Sequence, residues 1–246
     1  MAAADSSIRH EVVAAVLRVR IPEQVGGQAG LEVLLWQRAM APQRGAWSLP
    51  VGALGAAESV QSSIRRHLAE KVDVRTLSHL EQLAVFSEPD RVGTPRVVAS
   101  AFLSLVPSDT NPEVPADTRW HPVDGLPVTA FDHHRIVTTA HDRLRAKLSY
   151  TNLGFALAPT EFSISTLREI YSAALGYPVS ATNLQRVLTR RGALQSTGRM
   201  APPGPAGGRP AALFAFARAG IEVTDPFAVL RPPGARAPDP VAGQDR

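Results

Sequence analysis

The apolar residues of this chain change their period near Ala158-Pro159, and no single layer of secondary structure accommodates both patterns. Ahead of that point, alternating or short apolar runs at Val12 to Ile21, Leu31 to Trp36, Leu80 to Phe86 and Val97 to Val106 read as strands, separated by segments rich in Gly, Pro, Gln and Asp. Two stretches between and after them, Glu58 to Val72 and His133 to Leu148, read as helices. In the second of these, Ile136, Val137, Ala140, Leu144 and Leu148 recur at three- or four-residue spacing. The first part is therefore expected to be an α+β sandwich. Proline lacks an N–H donor and restricts its predecessor, so Ala158-Pro159 is a natural boundary.

Beyond the boundary, Ser163 is placed to cap a helix carrying Ile164, Leu167, Ile170, Tyr171, Ala174 and Leu175 on one face, with Gly176 and Pro178 ending it. Ser180 is the next cap, before a second helix with Leu184, Val187 and Leu188 as its buried stripe. Thr182, Asn183, Arg186, Thr189 and Arg190 fall on the opposite side. Ala193 to Ser196 and Ala211 to Ala217 read as two strands joined by a Gly/Pro-rich loop, and the composition from Asp225 onward reads as a mobile tail.

Charge follows the same division. Net charge is +4, with 16 basic and 16 acidic residues up to residue 150 but 10 basic and 6 acidic after it. Between Ser180 and Gly220, Arg186, Arg190, Arg191, Arg199, Arg209 and Arg218 face no acidic residue at all. One-sign charge of this kind suits a polyanion. Helix, tight turn, second helix and basic hairpin is the order of a winged helix-turn-helix, whose second helix fits the major groove of DNA. Arg pairs bidentately with guanine and Asn with adenine, while the remaining arginines neutralise phosphates. The candidate DNA-binding residues are thus Ser180, Thr182, Asn183, Arg186, Thr189, Arg190, Arg191, Arg199 and Arg209. A winged helix serving as a protein-interaction module, or a merely solvated basic face in an arginine-rich chain, is the alternative.

Cysteine is absent, which rules out disulfide and thiolate-zinc frameworks. Mean hydropathy is −0.04. The start, MAAADSSIRHE, has no basic-then-apolar leader, so a cytoplasmic location without membrane contact is expected.

Gly52 to Val74, GALGAAESVQSSIRRHLAEKVDV, resembles the Nudix box. Gly52, Glu58, Arg66, Leu68, Glu70 and Val74 match in register, and Trp47, Leu49 and Pro50 precede them as in the family's usual entry. His67 and Lys71 stand where the family has further carboxylates, and Asp73 replaces a glycine. The intact motif gathers several Glu to hold Mg²⁺ against a pyrophosphate. An imidazole and an ammonium group there oppose a divalent cation, so hydrolysis is not expected, and neither a metal nor another cofactor is assigned. An ordinary amphipathic helix with Glu58, Arg66 and Glu70 solvated or internally paired is the plainer alternative.

The chain from about Glu11 to Ala217 resembles the Nudix-related transcriptional regulators of NAD metabolism. Further matching segments are LEVLLWQR from Leu31, LEQLAVFSEPDR from Leu80, RVVASAFLSLVP from Arg96, FDHHRIV from Phe131, RLRAKLSYTNLGFAL from Arg143, FSISTLREIYSAALG from Phe162 and GRPAALFAF from Gly208. The resemblance implies a Nudix-like α/β/α sandwich over residues 1–150 and a winged helix-turn-helix over 151–224, while the composition of 225–246 reads as a disordered tail. It implies a homodimeric repressor of NAD biosynthesis or salvage genes that binds a palindromic operator in double-stranded DNA. ADP-ribose or a related nucleotide would act as effector. Carried over by position, the effector residues are Arg38, Trp47, Leu49, Gly52, Glu58, Arg66, Glu70 and Arg91, with arginines holding the phosphates in place of a metal. The segment from Leu144 to Pro159 would transmit occupancy to the DNA-reading part. The alternative is an active Nudix ADP-ribose pyrophosphatase with an appended regulatory domain.

Overall fold

The computed structural model describes residues 8–22, 27–93, 95–201 and 210–225. A seven-stranded mixed sheet is built from β1 (Arg9–Arg20), β2 (Gly30–Gln37), β3 (Trp47–Ser48), β4 (Val51–Ala53), β5 (His79–Phe86), β6 (Val97–Leu105) and β7 (Thr118–Pro122). The path runs β3-β2-β1-β6-β5, with β4 added to β1 and β7 added to β2. Only β1 and β6 run parallel, over nine residue pairs from Arg9↔Val97 to Leu17↔Leu105.

Period-two alternation along β1 sends residues to opposite faces. Val12, Ala14 and Val16 lie under α1 (Val60–Val72), together with Leu34, Phe102, Ile64 and Leu68. Val13, Ala15, Leu17 and Val19 face α2 (His133–Tyr150) on the other side. The expected sandwich is present. The four expected strands are found with ends that differ by one to three residues: β1 begins three residues earlier and ends one earlier, β2 gains one at each end, β5 gains one at its start and β6 loses one at its end, while β3, β4 and β7 were not anticipated.

The second unit contains β8 (Phe162–Ser163), α3 (Ile164–Leu175), α4 (Ala181–Arg190), β9 (Leu194–Met200) and β10 (Ala212–Phe216). Ser163 caps α3 by accepting the Thr166 N–H at 3.1 Å, and Gly176 ends it in the left-handed region at φ 79°. A small sheet ordered β8-β10-β9 forms the wing. Strand β9 continues to Met200, four residues past its expected end, and residues 202–209 of the expected Gly/Pro-rich loop lie outside the described residues.

The two units share one apolar core. Leu167, Ile170 and Ala174 of α3 and Leu184 and Leu188 of α4 belong to the same buried cluster as Leu17, Val33 and Leu35 of the large sheet. The His141 ring on α2 reaches the Ala174 carbonyl at 3.0 Å. Residues 151–157 run between them in a short 3-10 turn, where Leu153, Ala156 and Leu157 are fully buried. Burial of this kind, worth about 25 cal/mol per Å², joins the units as one packed body. Among the described residues no helix is long and apolar enough to cross a membrane.

Candidate effector site and DNA-reading surface

The box loop is shaped by its two substituted positions. An added Cβ at Gly52 would lie 2.2 Å from the His67 ring, so only glycine lets that ring settle against the loop. His67 is buried, and its Nε2–H donates to the Ala53 carbonyl at 3.0 Å. One turn later Lys71 Nζ donates to the Val51 carbonyl at 2.6 Å. Desolvation pulls this ammonium below the ordinary lysine range, opposed by the Glu11 carboxylate. Carbonyl oxygens that a hard cation would seek are thus taken by N–H donors of the helix. Among the described residues no group of three His, Cys, Asp or Glu converges on a point that could hold a metal ion.

The remaining carboxylates are also engaged. Glu58 takes the Arg66 guanidinium in a fork of 2.6 and 3.1 Å and accepts the Gly55 N–H at 2.7 Å. The Arg66 bond, followed by the Gly55 N–H, holds the Glu58 carboxyl down at about 2. Arg66 also reaches Glu70 at 3.2 Å, one helical turn away. Gly52, Glu58, Arg66 and Glu70 are therefore brought together, as an internally ion-paired group.

Arg38, Trp47, Leu49 and Arg91 gather instead around the N-terminus of α2. Arg38 lies on the β2–β3 loop, its Nε donating to the Pro42 carbonyl at 3.1 Å and its guanidinium 4.9 Å from the Phe131 ring centroid. Phe131 has a φ of 53°, uncommon for a bulky residue, and its N–H is held by Gln43 Oε1 at 2.9 Å. Trp47 stands edge-on to His121 at 4.3 Å. Leu49 is fully buried, and its N–H donates to His133 Nδ1 at 3.0 Å. Its side chain belongs to the core beneath the site, which corrects its assignment as a ligand contact. Arg91 also departs from expectation: its side chain is 1% exposed and grips Asp132 through bonds of 2.9 and 2.7 Å. A guanidinium so enclosed braces α2 and is not displayed to a ligand.

His133 is the polar pivot of this group. Burial presses its imidazole down to about 4, with Asp132 opposing and Arg91 and Arg38 assisting, so at neutral pH it accepts the Leu49 N–H as the uncharged ring. Asp132, Phe131, Gln43 and His133 were not anticipated as site residues. The Phe-Asp-His-His run was visible, but partners 41 positions from Asp132 or 88 from Phe131 leave no local pattern.

On the second unit, Ser180 caps α4 through its Oγ and the Asn183 N–H. Leu184 and Leu188 point inward, Val187 is half-buried, and Thr182, Asn183, Arg186, Thr189 and Arg190 are all exposed. Arg186 touches Asn183 Oδ1 at 2.8 Å, and among the described residues no carboxylate meets Arg186 or Arg190. Arg199, on the wing, pairs with Glu161 at 2.8 Å but stays 71% exposed. Arg209 lies outside the described residues. Arg191 is a correction: it is half-buried, bonded to the Ser149 carbonyl at 2.9 Å and to Asp225 at 2.6 Å, and so turned away from the α4 face. Asp225 itself, expected to open the tail, is packed here; 226–246 lie outside the described residues.

Comparison with known proteins follows the same two-part layout. Residues 10–140 match the family model described as NUDIX domain, and residues 154–216 the one described as NrtR DNA-binding winged helix domain. The chain is 30% identical to the ADPR responsive transcriptional repressor NtrR of Acinetobacter baylyi, covering 77% of each chain. Shewanella oneidensis NrtR, crystallised with a 27mer DNA, is similar at 28% identity and a TM-score of 0.68, over 84% of this chain and 92% of that one. A MutT/nudix family protein from Enterococcus faecalis shares the fold, with a TM-score of 0.69 at 22% identity over 87% and 90%.

Proposed function

We propose, from the premise that this chain belongs to the NrtR family of Nudix-related regulators, that it is a DNA-binding transcriptional repressor of NAD biosynthesis or salvage genes, relieved by ADP-ribose or a related nucleotide. The observation that carries the reading is the exposed side of α4, where Thr182, Asn183, Arg186, Thr189 and Arg190 stand with no carboxylate bonded to either arginine among the described residues. Such a face suits base edges and phosphates in a major groove. We take residues 1–150 as the effector-sensing unit and 151–224 as the DNA-reading unit of a cytoplasmic homodimer, with the two α4 helices meeting successive half-sites of a palindromic operator.

The box is read as a sensor that does not cut. His67 and Lys71 engage the Ala53 and Val51 carbonyls, and Arg66 is paired with both Glu58 and Glu70, so a divalent cation meets donors where it needs oxygens. Arg38, Trp47, Gly52, Glu58, Arg66 and Glu70 form the effector site in this reading, supported from beneath by Leu49 and from behind by the Arg91–Asp132 pair. An anionic pyrophosphate would compete with Glu58 and Glu70 for Arg66, and that exchange couples occupancy to the conformation of the box loop. Arg186 and Asn183 read bases, while Arg190 and the wing arginines Arg199 and Arg209 hold phosphates.

Fluorescence anisotropy with duplex from the upstream region of its own operon tests the proposal. Binding that weakens on adding ADP-ribose is expected. A chain that ignores the duplex yet cleaves ADP-ribose with Mg²⁺ or Mn²⁺, detected as phosphate released by a coupled phosphatase, would establish the pyrophosphatase instead.

A further inference from the structure

We propose that Arg191, Asp225 and Asn152 form a strap that sets the angle of α4 against the effector-sensing unit, making them positioning residues for operator recognition that do not touch DNA. The inference rests on the reading of α4 as the DNA-reading helix. After β10 the chain turns back to the C-terminal end of α2. The Asn152 side chain accepts the Glu222 N–H at 2.7 Å and donates to the Gly220 carbonyl at 2.8 Å, while its own N–H donates to the Glu222 carbonyl at 3.1 Å. The Tyr150 carbonyl accepts the N–H groups of Thr224 and Asp225 at 2.9 and 3.1 Å. Asn152 is 2% exposed, so three polar contacts that water would otherwise satisfy are closed inside the protein.

This returning segment delivers the Asp225 carboxylate to Arg191, the residue that ends α4. The same guanidinium donates to the Ser149 carbonyl in the last turn of α2. One side chain therefore pins the end of the reading helix to the end of the helix that starts at Asp132 and His133. Charge-assisted bonds of this kind are about twice as strong as neutral ones. The leverage is geometric. With a rise of about 1.5 Å per residue, Asn183 sits about 12 Å from the pinned end, so a tilt of about 10° would move it by about 2 Å. A hydrogen bond to a base edge does not survive such a displacement.

Substituting Asp225→Asn separates this role from a direct phosphate contact, because the two predict opposite signs. If Arg191 bound phosphate, removing its carboxylate partner would free the guanidinium and tighten binding. If the strap holds, the full-length Asp225→Asn protein binds the operator duplex about tenfold more weakly. Its log affinity against log salt keeps the wild-type slope, since no phosphate contact is lost. ADP-ribose affinity stays unchanged, which also shows that the protein is folded. Unchanged or tighter operator binding overturns the proposal, as does a shallower salt slope. Hydrogen exchange in the DNA-free chain tests the strap without any operator: amides of Thr224 and of the last turn of α4 should exchange at least about fivefold faster in Asp225→Asn, and equal rates overturn the strap. Should the wild-type chain bind no operator fragment, the repressor reading falls, while the exchange measurement still decides whether the strap exists.

Discussion

Arg66 on the box helix α1 and the arginines of the reading helix α4 are put to opposite uses. Arg66 lies between Glu58 and Glu70, so its charge is consumed within the molecule. Arg186 and Arg190 stand exposed with no carboxylate beside them among the described residues, so their charge is left for an outside partner. The difference is in what surrounds them. The residue type is the same. It teaches that a count of basic residues overstates what a surface offers until each guanidinium has been followed to its partner. Arg91 and Arg191 follow the pattern of Arg66, whereas on the exposed side of α4 Arg186 and Arg190 have no such partner among the described residues.

This contrast implies that substitutions near the box and α2 should cost folding stability, whereas those on α4 should cost only affinity for DNA. The largest effect is expected at Arg91→Ala, which strips a partly buried Asp132 of both its guanidinium bonds. Breaking such a pair costs about 3 kcal/mol or more, read as a lower urea midpoint. A loss under about 1 kcal/mol would mean Arg91 is freer than its burial indicates and would return it to the candidate ligand contacts.

Next in size is a pH effect. His133 titrates at about 4 in the folded chain against 6.5 when unfolded. The unfolded state therefore takes up the proton first. The stability that the neutral ring contributes is complete above pH 6.5 and drains away as pH falls towards 4, by on the order of 3 kcal/mol. Glu58 and Glu81, both held at about 2, begin to weaken the fold only below about 4.5. Unfolding midpoints between pH 7.5 and 5 thus report mainly on His133, with a contribution of the same sign from the less buried His121. A flat profile over that interval would dissolve the contrast with α4 from the other side.

Arg186→Ala should leave the unfolding midpoint unchanged while weakening operator binding by about tenfold or more, with relaxed preference at one base position. Equal losses on operator and random duplex would reassign it to a phosphate. The smallest effect belongs to Arg190→Ala: a loss of a few-fold on any sequence, with the salt slope shallower by about 0.9. An unaltered slope would show that Arg190 faces solvent in the complex.

Much of this organisation was legible in the residues. The four long strands, both domain-one helices and the helix pair beyond Pro159 follow from apolar spacing, and Ser163, Ser180 and Gly176 mark helix ends because capping is a local interaction. Strands of two or three residues, such as Trp47–Ser48 and Val51–Ala53, were not, since so short a run has no period and becomes a strand only when a neighbour pairs with it. Asp225 read as the start of a tail because the Pro/Gly/Ala/Arg composition follows directly after it, although its own partner is Arg191.

Taken alone, the sequence determined the two-part layout, the box whose carboxylates give way to His67 and Lys71, and the acid-free stretch that contains α4. Only the tertiary structure decided which guanidiniums are spoken for. Asp132 and Arg91 are 41 positions apart and Asp225 and Arg191 are 34, and an ion pair depends on distance in space, which chain separation does not encode.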